Sequence, residues 1–335
     1  MGFENHDVER KTLAILKAID TLNRPSGARI IAQCLQDQGI SLSERAVRYH
    51  LQLTDERGLT ELVGRRDGRA ITDRGRDEIR AAMVKDKVGL AISRIELLAF
   101  HTTLDYERGN GAVPVNISLF RRDRFKKALQ AMRPVFERGL SASPLVAVID
   151  SGERIGDMVI PGGQVGLATI CSVVVNGALL KAGIPMDSRF GGTLQIRNHR
   201  PLRFTEVIHY DGCSLDPSEI FIRAKMTSVR ETASTGSGEI LANFREIPAA
   251  CRPLADRVLE GLSRARVGAT VTMGNTSEAL CEVPVEPNKI GVILLGGLNP
   301  VAAAYEAGIE AENHSMSTTM DYERLVDYRE VLCCG

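Results

Sequence analysis

The chain has 335 residues, and its 42 basic and 42 acidic side chains cancel, so no overall field draws it to nucleic acid or a membrane. A hydrophobic content of 44% with 25% charge is that of a globular protein able to bury a sizeable core, and the length suits two or three domains. No stretch approaches a transmembrane helix, and the polar start MGFENHDVERK is not a signal peptide, so the cytoplasm is the expected location. Seven cysteines, at 34, 171, 213, 251, 281, 333 and 334, form no CxxC pair and never cluster with histidine at metal spacing. They read as free thiols, and no metal is expected. Cys333-Cys334 can ligate or oxidise, but a frayed terminus is the plainer reading.

Val8, Leu13, Leu16, Ile19 and Leu22 recur at helical spacing and predict a helix over residues 7–23. Turn residues 23–27 separate it from a second helix with Ile30, Ile31, Cys34 and Leu35 inward, ended by Gly39. Ser43 caps a third helix from Glu44 to Arg57. Val47 and Leu51 face its core, leaving Arg45, Arg48, Tyr49 and Gln52 outside. Two short strands, 59–63 and 70–72, flank a glycine-bounded turn carrying Arg65, Arg66 and Arg69, and a further helix starts at Thr72-Asp73. Three helices and a basic wing make a winged helix-turn-helix over residues 1–82, whose third helix would enter the major groove. Arginine reads guanine and glutamine reads adenine bidentately, while wing arginines displace counterions from phosphates. The alternative is a winged helix used only for protein contacts, with those arginines on a solvated face.

Residues 81–90 read as a hinge into the larger part. There GGQVGLATICSVVVNGALLKAGIP (162–185) returns as NKIGVILLGGLNPVAAAYEAGIE (288–310). Gly183 and Gly308 differ by 308 − 183 = 125, and at that offset Ser93 falls on Ser218, Gly111 on Gly236, Leu119 on Phe244 and Val146 on Val271. A repeat this long is a duplicated domain and not a solenoid. Units of about 90–212 and 215–335, each with strands alternating with helices, predict an α/β (α+β) domain over 83–335. Two such units pack about a pseudo-twofold axis, and a pocket belongs between them.

The matching turns, Cys171-Ser172 and Gly296-Gly297-Leu298-Asn299-Pro300, put helix starts at the ends of buried strands. Free N–H groups and the positive dipole end there make an anion site, unless the glycines serve packing alone. Arg189 and Arg245 can each grip a carboxylate or sit in a structural ion pair; Arg245 has Glu246 beside it. Ser228 and Thr103 match at the repeat offset and offer hydroxyls, or simply cap. There is no G-x-S-x-G elbow, P-loop, H-E-x-x-H or dinucleotide fingerprint. Cys171 at a helix start is either an activated thiol or, more simply, an inert small residue. The basic run 121–127 reads as a solvated helix face.

The segments CSVVVNGALLKAGIPMDSRFGG, SLDPSEIF, ILANFREIP and LLGGLNPVAAAYEAGIE resemble the regulatory domain of the NrpR nitrogen repressors. The front end is similar to the small winged-helix domain that precedes it there, also found in ribonuclease R. The resemblance spans nearly the whole chain. It implies a homodimeric transcriptional repressor of nitrogen-assimilation genes, not an enzyme and without a cofactor. Such a repressor binds an inverted-repeat operator and is released by 2-oxoglutarate, its allosteric effector. The expected DNA-contacting residues are then Ser43, Arg45, Arg48, Tyr49, Gln52, Arg65, Arg66 and Arg69. Our own candidates for the effector are Cys171, Ser172, Asn176, Arg189, Ser228, Arg245, Gly296, Gly297 and Asn299. Two alternatives stay open: an enzymatic or small-molecule-binding α/β domain with an accessory winged helix, or an RNA-binding protein. The latter lacks the acidic metal cluster of a ribonuclease.

Overall fold

Apolar residues of the first eighty positions recur at helical period, then alternate, and the elements follow that change. The computed structural model describes residues 2–64, 67–80, 89–156, 158–268 and 270–334. It divides into two units, Met1–Lys87 and Val88–Gly335. Most of the expected hinge, with Arg65, Arg66 and the side chains of Cys333 and Cys334, lies outside the described part.

The first unit runs α1 (Gly2–Leu22), α2 (Ala28–Asp37), α3 (Glu44–Glu56), β1 (Thr60–Gly64), β2 (Gly68–Ile71) and α4 (Asp73–Arg80). Ile15, Leu16, Ile19, Ile31, Leu35, Val47 and Leu51 form its core. The Ser43 hydroxyl accepts the Ala46 N–H at 3.2 Å and so fixes where α3 begins. The wing is tied back to the α1–α2 turn, because Ser26 and Arg69 exchange both backbone hydrogen bonds at 3.0 Å. Gly68 makes this possible. Its φ is +94°, and a Cβ there would lie 2.2 Å from the Ser26 carbonyl carbon.

The second unit runs α5 (Leu90–His101), β3 (Ala112–Arg121), α6 (Arg122–Glu137), β4 (Leu145–Ile149), β5 (Arg154–Ile155), β6 (Met158–Val159), β7 (Gln164–Ile170), α7 (Val173–Lys181), β8 (Asp187–Arg197) and β9 (Arg200–His209). It continues with α8 (Pro217–Arg223), α9 (Val229–Thr235), β10 (Gly238–Pro248), α10 (Arg252–Arg264), β11 (Thr270–Thr276), β12 (Lys289–Leu295), α11 (Asn299–Glu306), β13 (Glu312–Asp321), β14 (Val326–Asp327) and α12 (Tyr328–Cys334). Two five-stranded sheets result, ordered β13-β3-β7-β4-β14 and β11-β12-β10-β8-β9. Every pairing in them is antiparallel.

The duplication is visible element by element, since β12 repeats β7, α11 repeats α7 and β13 repeats β8. Gly183 and Gly308 end the two helices with φ of 77° and 76°. In both, the glycine N–H and the next N–H return to the last turn, as a left-handed helix stop requires. The halves also exchange strands. β8 leaves the first half to pair with β10 of the second, and β13 crosses back to pair with β3. One continuous apolar core, from Val113 to Tyr328, runs through both sheets. The two halves cannot be separated without breaking both.

The repeats differ at their helix ends in a way that charge explains. Glu306, at the end of α11, accepts the Val229 and Arg230 N–H groups (2.8 and 2.9 Å) and the Thr227 hydroxyl (2.8 Å), which caps α9. In the first repeat its place is taken by Lys181, which donates to the Phe100 carbonyl at the close of α5 (3.4 Å). An acid meets a helix start and a base meets a helix end. Replacing Glu306 with alanine takes the acceptor from the N–H of buried Val229 and from the more exposed N–H of Arg230. The expected cost is about 2–3 kcal/mol in urea unfolding, and the Glu306→Gln variant should recover part of it.

Candidate nucleic-acid face and effector cavity

α3 presents Arg45, Arg48, Tyr49 and Gln52 to solvent, with Val47, His50, Leu51 and Thr54 buried on its other side. Tyr49 is 58% exposed. Arg48 pairs with Glu44 one turn back, and Gln52 donates to Glu56 at 3.3 Å. These exposed pairs are weak, on the order of a few tenths of a kcal/mol, and a phosphate or base edge displaces them easily. Ser43 is occupied as the helix cap. Arg69, opposite Leu62 in the wing, donates its Nε to Asp55 at 2.6 Å. Sequence reading did not single out Leu62 and Val63, which β1 exposes beside the wing.

In the second unit the two strand-to-helix turns meet. A Cβ on Gly297 would lie 2.5 Å from the Ile170 carbonyl oxygen, 2.6 Å from Asn116 Nδ2 and 3.3 Å from Cys171 Cα. Only glycine lets the turns approach so closely. Between them is a cavity of about 10 Å³, lined by Asn116, Cys171, Ser172, Val173, Tyr210, Asp216, Ser218, Asn243, Arg245, Gly297, Leu298, Ser315 and Met316. That is space for one water. Asp216, Ser315 and Met316 also line an open groove of about 840 Å³, walled by Leu90, Arg94 and Leu97 of α5, by Met158 and by Leu215.

Arg245 is the unusual member. It is 1% exposed, and its Nε and Nη1 find no hydrogen-bond partner among the described residues. The guanidinium lies over the Tyr210 ring, 4.9 Å from its centre. The Tyr210 hydroxyl donates to Asn243 Oδ1 (2.5 Å), and Asn243 Nδ2 donates to the Ser172 hydroxyl (3.0 Å). This chain holds the α7 start against β10. Burial raises the Cys171 thiol to about 12, so it is a neutral, inert side chain here and not a nucleophile.

Asp216 accepts the Ser218 N–H at 2.7 Å and caps α8. Burial holds its carboxyl above the usual aspartate value, against the opposing hydrogen bonds from Ser218. A group raised on folding contributes its stability below the unfolded value of about 3.9 and loses it as pH climbs through the folded value. The cap-preserving variant Asp216→Asn is therefore expected to unfold at higher temperature than the parent at pH 7. The difference should shrink as pH falls toward about 4. Equal melting curves at both pH values would refute this.

The other candidates are placed elsewhere. Asn299 clamps the Leu241 backbone through both side-chain amide atoms (2.8 and 3.0 Å), and Gly296 N–H donates to the same carbonyl (2.8 Å). Asn176 donates to Ser188 at 3.1 Å. Ser228 accepts the Glu239 N–H at 2.8 Å, just as Thr103 accepts the Ala112 N–H at 2.9 Å. Arg189 joins Lys289 in neutralising Asp187, Glu246 and Glu286, with Arg189 3.0 Å from buried Glu246. Cys171, Ser172, Arg245 and Gly297 converge; Asn176, Arg189, Ser228, Gly296 and Asn299 do not line the cavity. The sequence reading missed Asn116, Tyr210, Asp216, Asn243 and Ser315. Asn243 and Arg245 carried a signal: polar side chains two apart on one face of a buried strand.

A winged helix joined to a duplicated, strand-exchanged domain with an internal cavity defines a class, the winged-helix proteins with a regulatory domain. Comparison with known families is in accord. Residues 88–327 match the model for NrpR regulatory domains NRD1 and 2, and residues 13–79 match the ribonuclease R winged-helix domain. The chain belongs to the NrpR family. It is 40% identical over 318 residues to the global nitrogen regulator NrpRI of Methanosarcina mazei, covering 95% of this chain and 98% of that protein. It is 30% identical to the global nitrogen regulator NrpR of Methanococcus maripaludis, covering 92% of this chain but 52% of that protein. For the regulator of the same name from Methanocaldococcus jannaschii the identity is 32%, with coverage of 95% and 55%, so the chain spans about half the length of these two relatives. The crystal structure of a nitrogen repressor-like protein from Methanococcus jannaschii superimposes with a TM-score of 0.61 at 25% identity, covering 71% of this chain and 98% of that one. Among the described residues no helix is long and apolar enough to cross a membrane.

Proposed function

We propose that the protein is a homodimeric, cytoplasmic repressor of nitrogen-assimilation genes that binds an inverted-repeat operator through α3 and its wing and is released by 2-oxoglutarate. The observation that carries the effector half is Arg245. A buried guanidinium with two unpartnered nitrogens is costly, and natural proteins keep such a group where an anion completes it. Here two helix starts face the same space, so the fixed partial charges add to the arginine's. An anion would take a charge-assisted hydrogen bond from a free Arg245 nitrogen and N–H bonds from the α7 and α11 starts. The cavity as it stands holds no more than a water, so the effector must widen it. Widening moves Met316 and the Asp216 cap, which also bound the outer groove under α5. α5 is the first described helix after the N-terminal unit along the chain. An effector that binds only the widened form and weakens DNA binding is bound, by reciprocity, less well by the DNA-bound form.

Gel-shift titration of promoter fragments with and without 2-oxoglutarate tests the reading. Retarded bands that dissolve on adding 2-oxoglutarate are expected. Bands insensitive to it would sink the effector claim, and no bands at all would sink the DNA claim.

A further inference from the structure

The two repeats close the same seam differently. After β13 the chain turns at Tyr322–Arg324, and the Tyr322 N–H donates to the Gly111 carbonyl at 2.8 Å. After β8, in the first repeat, the His199 N–H donates to the Gly236 carbonyl at 2.8 Å, so His199 takes the place of Tyr322. The helix ends behind them also correspond. Gly139 and Leu140 return N–H bonds to the last turn of α6 just as Arg266 and Val267 do to that of α10, and φ is 67° at Gly139 and 60° at Arg266. In the second repeat the seam is filled. The Tyr322 hydroxyl donates to the Ala265 carbonyl at 2.7 Å, and the Tyr106 ring lies so close to Gly261 of α10 that a Cβ there would fall 2.3 Å from it. In the first repeat Glu231 stands at the 125 offset from Tyr106, and the shorter His199 ring lies against Gly236. No donor among the described residues reaches the carbonyl of Arg138, the counterpart of Ala265. A recess of about 230 Å³ is left, lined by apolar Leu140, Ile196 and Leu295 and by polar Arg138, His199 and Thr232.

We propose that this recess is a second ligand site, which takes a small aromatic compound with a hydroxyl or ring N–H donor, a phenol in the simplest case. The second repeat carries the same kind of occupant as its own side chain, an aromatic ring whose hydroxyl ends on a helix-terminal carbonyl. In the first repeat Leu140, Ile196 and Leu295 would cover the ring of a free ligand, and its donor would end on the Arg138 carbonyl. An aromatic body with one polar tip needs both kinds of partner, and the recess supplies both. The space is sufficient for one ring, since an apolar cavity of about 150 Å³ already takes benzene. The recess shares no lining residue with the cavity at Arg245. It does include Leu295, the last residue of β12, two residues before Gly297 of that cavity. A bound ring would therefore pack on the strand that carries one of the two helix-start turns, giving the protein a second small-molecule input.

The test titrates the full chain with p-cresol, which is the tyrosine side chain as a free molecule. At about 10 mM it should raise the melting temperature by about 2–4 °C, and toluene, which lacks the donor, should raise it by clearly less. His199→Tyr puts into the first repeat the residue that fills the second, and this variant should no longer respond to p-cresol. In methyl-labelled protein, p-cresol should shift the NMR signals of Leu140, Ile196 and Leu295. That map decides the matter by itself if His199→Tyr does not fold. The proposal is overturned if those three signals stay in place, or if a folded His199→Tyr is stabilised by p-cresol as much as the parent. Equal stabilisation by toluene would overturn the requirement for a donor. His199→Tyr leaves the cavity at Arg245 intact and should keep the parent's response to 2-oxoglutarate, so the two sites succeed or fail separately.

Discussion

Arg245→Leu should make the protein more stable and deaf to its effector at once. Arg245 is buried with two guanidinium nitrogens unpartnered, so an apolar side chain in its place removes a desolvated charge and is expected to raise the unfolding free energy, less what the neighbouring Asp216 carboxyl loses with it. The Tyr210 ring loses its cation, a smaller effect of about 1 kcal/mol in the opposite direction. In a thermal-shift assay the parent should gain stability with added 2-oxoglutarate, as any ligand of the native state requires. The variant should start higher and not move. Its affinity for 2-oxoglutarate should fall by about ten- to a hundredfold, since a charge-assisted hydrogen bond is lost. A variant that is less stable than the parent would mean that Arg245 is satisfied in the resting protein. The cavity would then lose its anionic reading.

The second large effect lies on α3. Replacing Arg45 and Gln52 together with alanine should weaken operator binding by about 2–6 kcal/mol, counting each as one base-reading contact. Thermal stability should be nearly unchanged, because both side chains are exposed and Gln52 gives up only its bond to Glu56. The response to 2-oxoglutarate in the absence of DNA should be unaltered. If affinity for operator and for random DNA fell equally, α3 would be touching phosphate and not bases. Changing Arg65 and Arg66 gives the contrasting outcome, a shallower salt dependence with little loss of sequence preference.

The two arginines show where sequence reading stops. Arg189 and Arg245 looked alike from their neighbours, and Glu246 beside Arg245 argued for a local ion pair. Strand geometry reverses that. Consecutive residues of β10 point to opposite faces, so Glu246 turns to Arg189 and Lys289, while Arg245 turns into the cavity beside Tyr210 and Asp216. The sequence shows adjacency but not facing. The duplication was legible because chain stretches of similar apolar and glycine pattern form similar local elements, which is why β7 and β12 align end to end. The strand exchange was not. An offset establishes which elements are equivalent, and pairing β8 with β10 is settled only by the packed core. In the winged helix, Ser43 and the apolar spacing of the first eighty residues were sufficient, since caps and periodicity are local. The wing was half legible: its turn residues announce a hairpin, but nothing local says that Arg69 will face Asp55.

The account rests on an anion entering between two helix starts and loosening the grip on DNA. The most direct measurement follows fluorescence anisotropy of labelled operator DNA, bound first by the parent and then by Arg245→Leu, as 2-oxoglutarate is added. The parent should release the DNA, and the variant should hold it throughout the same range. Release of both at the same 2-oxoglutarate concentration would contradict the assignment of Arg245 and of the cavity it faces.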